Sequence, residues 1–361
     1  MSYLLPSYFL VFKEENLDEL RSDLWNDDPV VADLVLDGVT YDIDIAYRGS
    51  YTRSFRKRSY IIKFVNPTTF EGNNIIHLNA EYKDPSLFRN KLSFDFFQDI
   101  GVLSPESQHV NLIRNDTLKG VYLQLESVDE YFLEKRGLPP GPIYYAVNND
   151  ANFSLLRDER MKKSLIAGYQ QAVGDESDDT LLLDFIKKVN TIPLADFHNE
   201  IPQFLNIDTF LRWLAGAVCT MNNDGFTHNY ALYRNSNTGL FEFIPWDYDA
   251  TWGRKVDGGT MEYDYVHIEG KKCNHLCYLL MRVPEFRKRY RMILGDILEN
   301  KFTVNYMENK VMSLYKALRP HVLLDPYKKR KIDLFDEEPE FIFQYIRDRN
   351  NYLKKQLVNF D

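Results

Sequence analysis

Asp224, Asn229 and Asp247 are the side chains whose types and spacing first offer chemistry. Two carboxylates and an amide oxygen gathered in one place form an oxygen-rich site suited to Mg²⁺ or Mn²⁺, hard cations that accompany phosphate groups. A hairpin would gather them. Two apolar and aromatic runs, Tyr230-Ala231-Leu232-Tyr233 and Leu240-Phe241-Glu242-Phe243-Ile244, flank Asn235-Ser236-Asn237-Thr238-Gly239, a turn-rich loop ending in glycine. That is the pattern of two antiparallel strands. Folding about Asn237 sets position 229 opposite roughly 245 and 228 opposite roughly 246, because cross-strand positions keep a constant sum. The three residues then meet at the open end, where Trp246-Asp247-Tyr248-Asp249 supplies a further acid.

Asp-x4-Asn is a weak signal alone, but followed after a hairpin by another Asp it resembles the catalytic loop and metal-binding Asp of protein kinases. In that arrangement Asp224 takes the proton of the acceptor hydroxyl, and Asn229 and Asp247 hold the metal that bridges the phosphates of ATP. The runs 224–233 and 244–253, with Tyr47-Arg48-Gly49-Ser50 and Arg89-Asn90-Lys91-Leu92 upstream, are similar to the spore-coat protein H family of atypical protein kinases. The resemblance covers nearly the whole chain. It implies phosphorylation of Ser in other coat proteins. It also implies synthesis in the mother-cell cytoplasm, followed by deposition in the spore coat.

Composition bounds the partners. A chain of 361 residues with 44% hydrophobic content is long enough for two lobes. A formal charge of −9 argues against nucleic acid or an anionic membrane as the main partner and favours basic or neutral ones; joined to the resemblance, it implies Ser-rich basic coat proteins as substrates. Three cysteines, Cys219, Cys273 and Cys277, are too few for a disulfide framework and point to a reducing compartment. The first residues carry no basic, apolar leader pattern, and no apolar run approaches the ~20 residues of a membrane span.

The elements that must position the site follow from periodicity. Tyr3 to Phe12 reads as a strand and Asn16 to Trp25 as a helix; Val30 to Leu36, Asp37-Gly38 and Val39 to Tyr47 read as a hairpin with a type I′ turn. The loop Arg48-Gly49-Ser50-Tyr51-Thr52-Arg53-Ser54 precedes a strand over Arg58 to Val65, and its backbone and guanidinium groups suit phosphates. It lacks the three glycines of ordinary kinases. Lys57 and Lys63 are both candidates for the phosphate-holding lysine, since alternation puts 57, 59, 61 and 63 on one face; a charged strand edge that resists aggregation is the bland alternative.

Asp84-Pro85 reads as a helix start, running to Gly101, in the place of a kinase's regulatory helix. It carries Arg89 and Lys91 where that helix carries Glu, which leaves Glu81 as a possible partner for the lysine. Val110 to Ile113 and Gly120 to Leu125 are strands, and Ser127-Val128-Asp129-Glu130 has the form of a capping box opening a helix to about Arg136. The kinase analogy places the hinge at Glu126-Ser127, with backbone groups of Gln124 to Glu126 reading the adenine edge.

Residues 157–199 are polar and read as a solvated loop with an acidic knot at Asp175, Glu176, Asp178 and Asp179. Ile207 to Val218 reads as a buried helix that delivers the chain to Asn222. The crowded Cys273-Asn274-His275-Leu276-Cys277 favours packed or free thiols over zinc. Three amphipathic helices close the chain.

The expectation is an α+β, atypical protein-kinase-like two-lobe fold, with a sheet-rich N-lobe over 1–126 and a larger helical C-lobe over 127–361. The expected activity is transfer of the γ-phosphoryl group of ATP to Ser or Thr with Mg²⁺ or Mn²⁺. The catalytic residue is Asp224, the metal residues Asn229 and Asp247, and the nucleotide-binding residues Arg48, Lys57, Lys63 and Glu126. A nucleotidyl transferase, a coat-assembly scaffold and a metal-dependent phosphohydrolase are the alternatives.

Overall fold

Alternation of large apolar residues over the first third of the chain closes a barrel. The computed structural model describes residues 5–65, 68–157, 160–271 and 273–360, so the start expected for the first strand, at Tyr3, lies outside the described residues. The strands are β1 (Ser7–Val11), β2 (Val30–Leu36), β3 (Val39–Arg48), β4 (Ser59–Phe64), β5 (Ile75–Asn79), β6 (Ser107–Arg114) and β7 (Thr117–Glu126), with α1 (Glu14–Ser22) after β1. They close in the order β1-β2-β3-β4-β5-β7-β6, the parallel pair β1 and β6 completing the ring. Ile43, Ile45, Tyr60, Ile62, Phe64, Ile76 and Leu78 fill the interior. The alternate residues face outward, and on β3 to β5 they include Arg48, Ile61, His77 and Asn79. At the β2–β3 turn Asp37 and Gly38 have φ of 49° and 80°, as a type I′ turn requires.

The helix α2 (Arg89–Asp99) falls between β5 and β6 in sequence but belongs to the second, larger core. Phe97 lies so close to Gly216 that any side chain there would collide with its ring. Phe96 meets Trp252 and Phe302. A helix anchored in this way forms part of the platform under the site.

Around that larger core run α3 (Glu130–Lys135), β8 (Ile143–Ala146), an exposed ribbon of β9 (Leu156–Arg157) and β10 (Arg160–Met161), β11 (Tyr169–Val173), α4 (Asp179–Thr191), α5 (Leu194–Glu200) and α6 (Ile207–Thr220). β12 (Tyr230–Arg234), β13 (Phe241–Pro245), α7 (His275–Leu280), α8 (Pro284–Asn300), α9 (Val304–Val322) and α10 (Ile332–Val358) complete it. The strands β11-β8-β12-β13 form one sheet.

Four expectations are corrected. The hairpin register is one residue off: Tyr230 pairs with Pro245 and the Trp246 N–H donates to the Asn229 carbonyl at 3.1 Å, because the loop centres between 237 and 238. The helix expected from Asp84 begins at Arg89; the Asp84 carboxylate binds the Ser86 and Arg89 N–H groups across a loop in which Leu87 has φ 63°. The helix expected from Ser127 begins at Glu130, capped by Asp129, which accepts from the Tyr131 and Phe132 N–H groups. The segment read as a solvated loop contains β11 and α4, which buries Leu182, Phe185, Ile186 and Val189 and leaves the acidic knot at its start.

Candidate active site

The candidate catalytic loop begins where α6 stops. Met221, at φ 59°, ends the helix in a left-handed turn. The Asn222 carboxamide oxygen then accepts the N–H groups of Asp224 (3.2 Å) and Gly225 (2.9 Å), while its NH₂ reaches the Asp247 carbonyl at 3.3 Å. One amide thus ties the loop to the end of the hairpin. Asn223 donates to Asp224 Oδ1 at 2.9 Å, and Lys271 donates to the Asn223 oxygen. Asn229 and Asp247 both have left-handed backbones, φ 61° and 57°. Non-glycine residues held there cost free energy and cluster at functional sites.

Asp247 is exposed at its surface although protein surrounds it on most sides. Burial pushes its carboxyl above the ordinary value and Asp224 adds to this, while Arg48 and His228 oppose it. Asp249 is pushed well up, first by burial and then by Asp247, Glu81 and Asp84. Glu81 is only 4% exposed, sits at φ 46°, and is raised to about 8 by burial first and Asp84 next. Its Oε2 has no hydrogen-bond partner among the described residues, while Oε1 accepts from Asn90 at 3.0 Å. Asn90 in turn accepts the Tyr248 N–H at 2.6 Å.

Three carboxylates held near one another against their own repulsion are what a divalent cation would relieve, so the donor set fits one. Among the described residues no group of three or more His, Cys, Asp or Glu is arranged to hold a metal by itself. Mg²⁺ takes one or two carboxylates and completes its shell with water and phosphate oxygens, so Asp247 with one neighbouring acid would be enough to hold it. The three cysteines are free thiols, Cys219 and Cys277 buried and Cys273 exposed.

The four nucleotide-binding candidates part company. Arg48, at the end of β3, lies over the Trp246 ring at 5.5 Å, donates to Asn79, and interacts with Asp247. Lys57 precedes β4. It is 1% exposed and donates to the Val121 carbonyl and, at 3.4 Å, to Asp325, with Tyr122 4.5 Å below it. The strand begins two residues later and the side chain turns toward the C-terminal segment, where protein groups engage its ammonium. Lys63 shares the outward face with Ile61 but is exposed and pairs with Asp44, about 13 Å along the strand from the rung that pairs with Arg48. The Glu126 N–H donates to the Glu106 carbonyl at 3.0 Å and its carboxylate is paired with Lys135 and Arg136, so it does not offer that N–H to an adenine edge.

Several neighbours carry no sequence signal. His77 packs edge-on to Trp246 at 5.3 Å with neither ring nitrogen partnered among the described residues, and burial pushes its pKa well down. Lys328, from the segment after α9, donates to the carbonyls of Tyr82 (2.9 Å) and Asp84 (2.7 Å) and so holds the loop that bears Glu81. The run Arg89-Asn90 gains its physical meaning here. Arg89 bridges Asp84, Glu338 and the Thr251 carbonyl, and with Asn90 it fixes the backbone after Asp247.

Residues 45–353 match the family described as CotH kinase protein. The chain belongs to the CotH kinase family. It is 53% identical to inner spore coat protein H of Bacillus subtilis over 98% of both chains. It is 24% identical to an inner spore coat protein H-like protein of the same organism, over 80% of this chain and 82% of that one. Solved structures of the Helicobacter pylori proinflammatory kinase CtkA and of Shewanella oneidensis HipA align over 93% and 96% of this chain and 94% and 73% of theirs. TM-scores are 0.37 and 0.39 at 7% and 12% identity. Superposition that loose leaves the α+β assignment to rest on the chain's own barrel and helical core.

Proposed function

We propose that this CotH-family protein transfers the γ-phosphoryl group of ATP to Ser side chains of basic spore-coat proteins. The observation that carries the reading is the pairing of Asp224 with Asp247 at the open end of one hairpin, tied by Asn222 and facing Arg48. Asp224 takes the proton of the Ser hydroxyl, whose oxygen bonds to the γ-phosphorus as ADP leaves. Asp247 and Asn229 hold a divalent cation, which supplies charge neutralisation to the phosphates. Arg48 adds a fixed positive charge above them. The relative named inner spore coat protein H supports the spore coat as the place of action.

The test is incubation with γ-labelled ATP, Mg²⁺ or Mn²⁺ in turn, and a Ser-rich basic coat protein, read by acceptor mass. A phosphate adduct lost in Asp224→Asn is the expected result. A nucleotidyl adduct assigns the site to nucleotidyl transfer, phosphate release without an acceptor to hydrolysis, and no chemistry to a scaffold.

A further inference from the structure

Beside the catalytic loop opens a cavity of about 320 Å³ walled by Glu269, Lys271, Tyr278, Met281, Arg282 and Arg287. Its link to the reaction centre is Lys271, whose ammonium donates to Asn223 while Asn223 donates to Asp224 at 2.9 Å. The wall of the cavity is therefore two hydrogen bonds from the carboxylate assigned to the acceptor hydroxyl.

The charge of this cavity runs opposite to that of the chain. Its described walls carry three cations and one carboxylate, hence +2, in a protein of formal charge −9. Glu269 is engaged by Arg287 at 2.6 Å. Arg282 is exposed, touches the Tyr278 hydroxyl at 3.2 Å, and stacks over that ring at 5.4 Å, a plane that steadies the guanidinium without neutralising it. Lys271 and Arg282 thus bring positive charge to a hollow beside the candidate catalytic loop.

We propose that this cavity binds a phosphoserine of the acceptor chain, two to four residues from the serine being modified, so that one transfer favours the next on the same polypeptide. The inference rests on the kinase reading above and names the substrate state which that site prefers. A phosphomonoester carries about −1.5 to −2 at neutral pH and offers three acceptor oxygens, matching the cavity's net charge and the cations of Lys271 and Arg282, whereas a carboxylate offers a smaller charge and two oxygens. The spacing follows from geometry. Two hydrogen bonds through one carboxamide span roughly 7 Å and an extended peptide advances about 3.3 Å per residue, so the second residue is the first to reach.

The experiment measures kcat/KM of the full chain on one basic serine peptide in four forms: unmodified, phosphoserine three residues from the acceptor, aspartate at that place, and phosphoserine eight residues away. The near phosphoserine is expected to raise kcat/KM about tenfold through KM, the aspartate less, and the distant phosphoserine not at all. Arg282→Glu, checked by its melting curve, is expected to bring the ratio of near-phosphorylated to unmodified peptide toward one, with Arg282→Ala between. Equal rates on all four peptides, an aspartate advantage as large as the phosphoserine's, or an unchanged ratio in Arg282→Glu overturns the proposal while the kinase reading stands. If no peptide is labelled, the kinase reading fails and this inference falls with it.

Discussion

The two faces of the barrel wall obey opposite rules. Inside, Ile43, Ile45, Ile62, Phe64, Ile76 and Leu78 are fully buried and apolar. Outside, where β3 and β5 meet Trp246, stand Arg48, His77 and Asn79, and below them the Glu81–Asp247–Asp249 carboxylates crowd together with polar atoms left unpartnered. Glu81, Asn229 and Asp247 on this second side have left-handed backbones. The inner face stores stability. The outer face carries polar groups and strained backbones that burial alone disfavours, and the proposed function gives them a charged ligand to meet.

Lys57 tests that division most severely, because it is buried like a core residue and charged like a site residue. Truncating one partner of a buried ion pair strands the other, here Asp325, so Lys57→Ala is expected to destabilise the fold by about 3–5 kcal/mol. The folded fraction is expected to keep its ATP affinity. Chemical denaturation beside calorimetric ATP titration reads both; lost ATP affinity at unchanged stability would falsify the structural role and return Lys57 to the phosphates.

The two acids at the hairpin end come next. Asp224→Asn is expected to keep metal and ATP affinity yet lose phosphoryl transfer by roughly 10²-fold, about 2.7 kcal/mol of barrier. Asp247→Asn is expected to lose metal-dependent ATP binding as well, since an amide cannot supply the charge. Neither substitution is expected to lower the melting temperature, as each removes a repulsion. Titration of ATP with and without Mg²⁺ on each variant decides, and reversed phenotypes exchange the two roles.

A pH measurement probes the support of the outer face. His109 is buried on β6 against the Leu87 carbonyl at 2.8 Å, and burial pushes its pKa down to about 4. The unfolded chain binds that proton first as acid is added. The stability held above about pH 6.5 is therefore lost as pH falls toward 4, by roughly 2 kcal/mol. Denaturation midpoints at pH 7 and pH 4.5 should differ less in His109→Gln than in the natural protein; equal differences remove His109 from the account.

Arg48 carries the smallest expected effect and the sharpest contrast with Lys57. Arg48→Ala is expected to weaken ATP about tenfold, near 1.4 kcal/mol, with little change in melting temperature. If the variant unfolds instead, the guanidinium is holding Asn79 and Trp246 together rather than waiting for phosphate.

Local rules made part of this legible. The hairpin and its loop, the type I′ turn at Asp37-Gly38, helix α6 and the three closing helices α8 to α10 follow from two-residue or 3.6-residue periods and turn chemistry, which are written in consecutive residues. The same locality explains the misses. Asp84-Pro85 and Ser127 looked like helix starts, but the Asp84 carboxylate serves a loop and Asp129 outcompetes Ser127 as the cap. Helix α4 hid its apolar stripe in a polar stretch.

By itself the sequence determined that Asp224, Asn229 and Asp247 share the end of one hairpin, because a short turn leaves few registers. Tertiary structure alone decided what surrounds them. Lys57 finds Asp325 268 positions away, Lys328 holds the loop of Glu81, and Glu338 shares Arg89 with Asp84. Such pairs form because a buried charge must find a partner wherever the packed chain brings one, and no spacing along the chain announces where that will be.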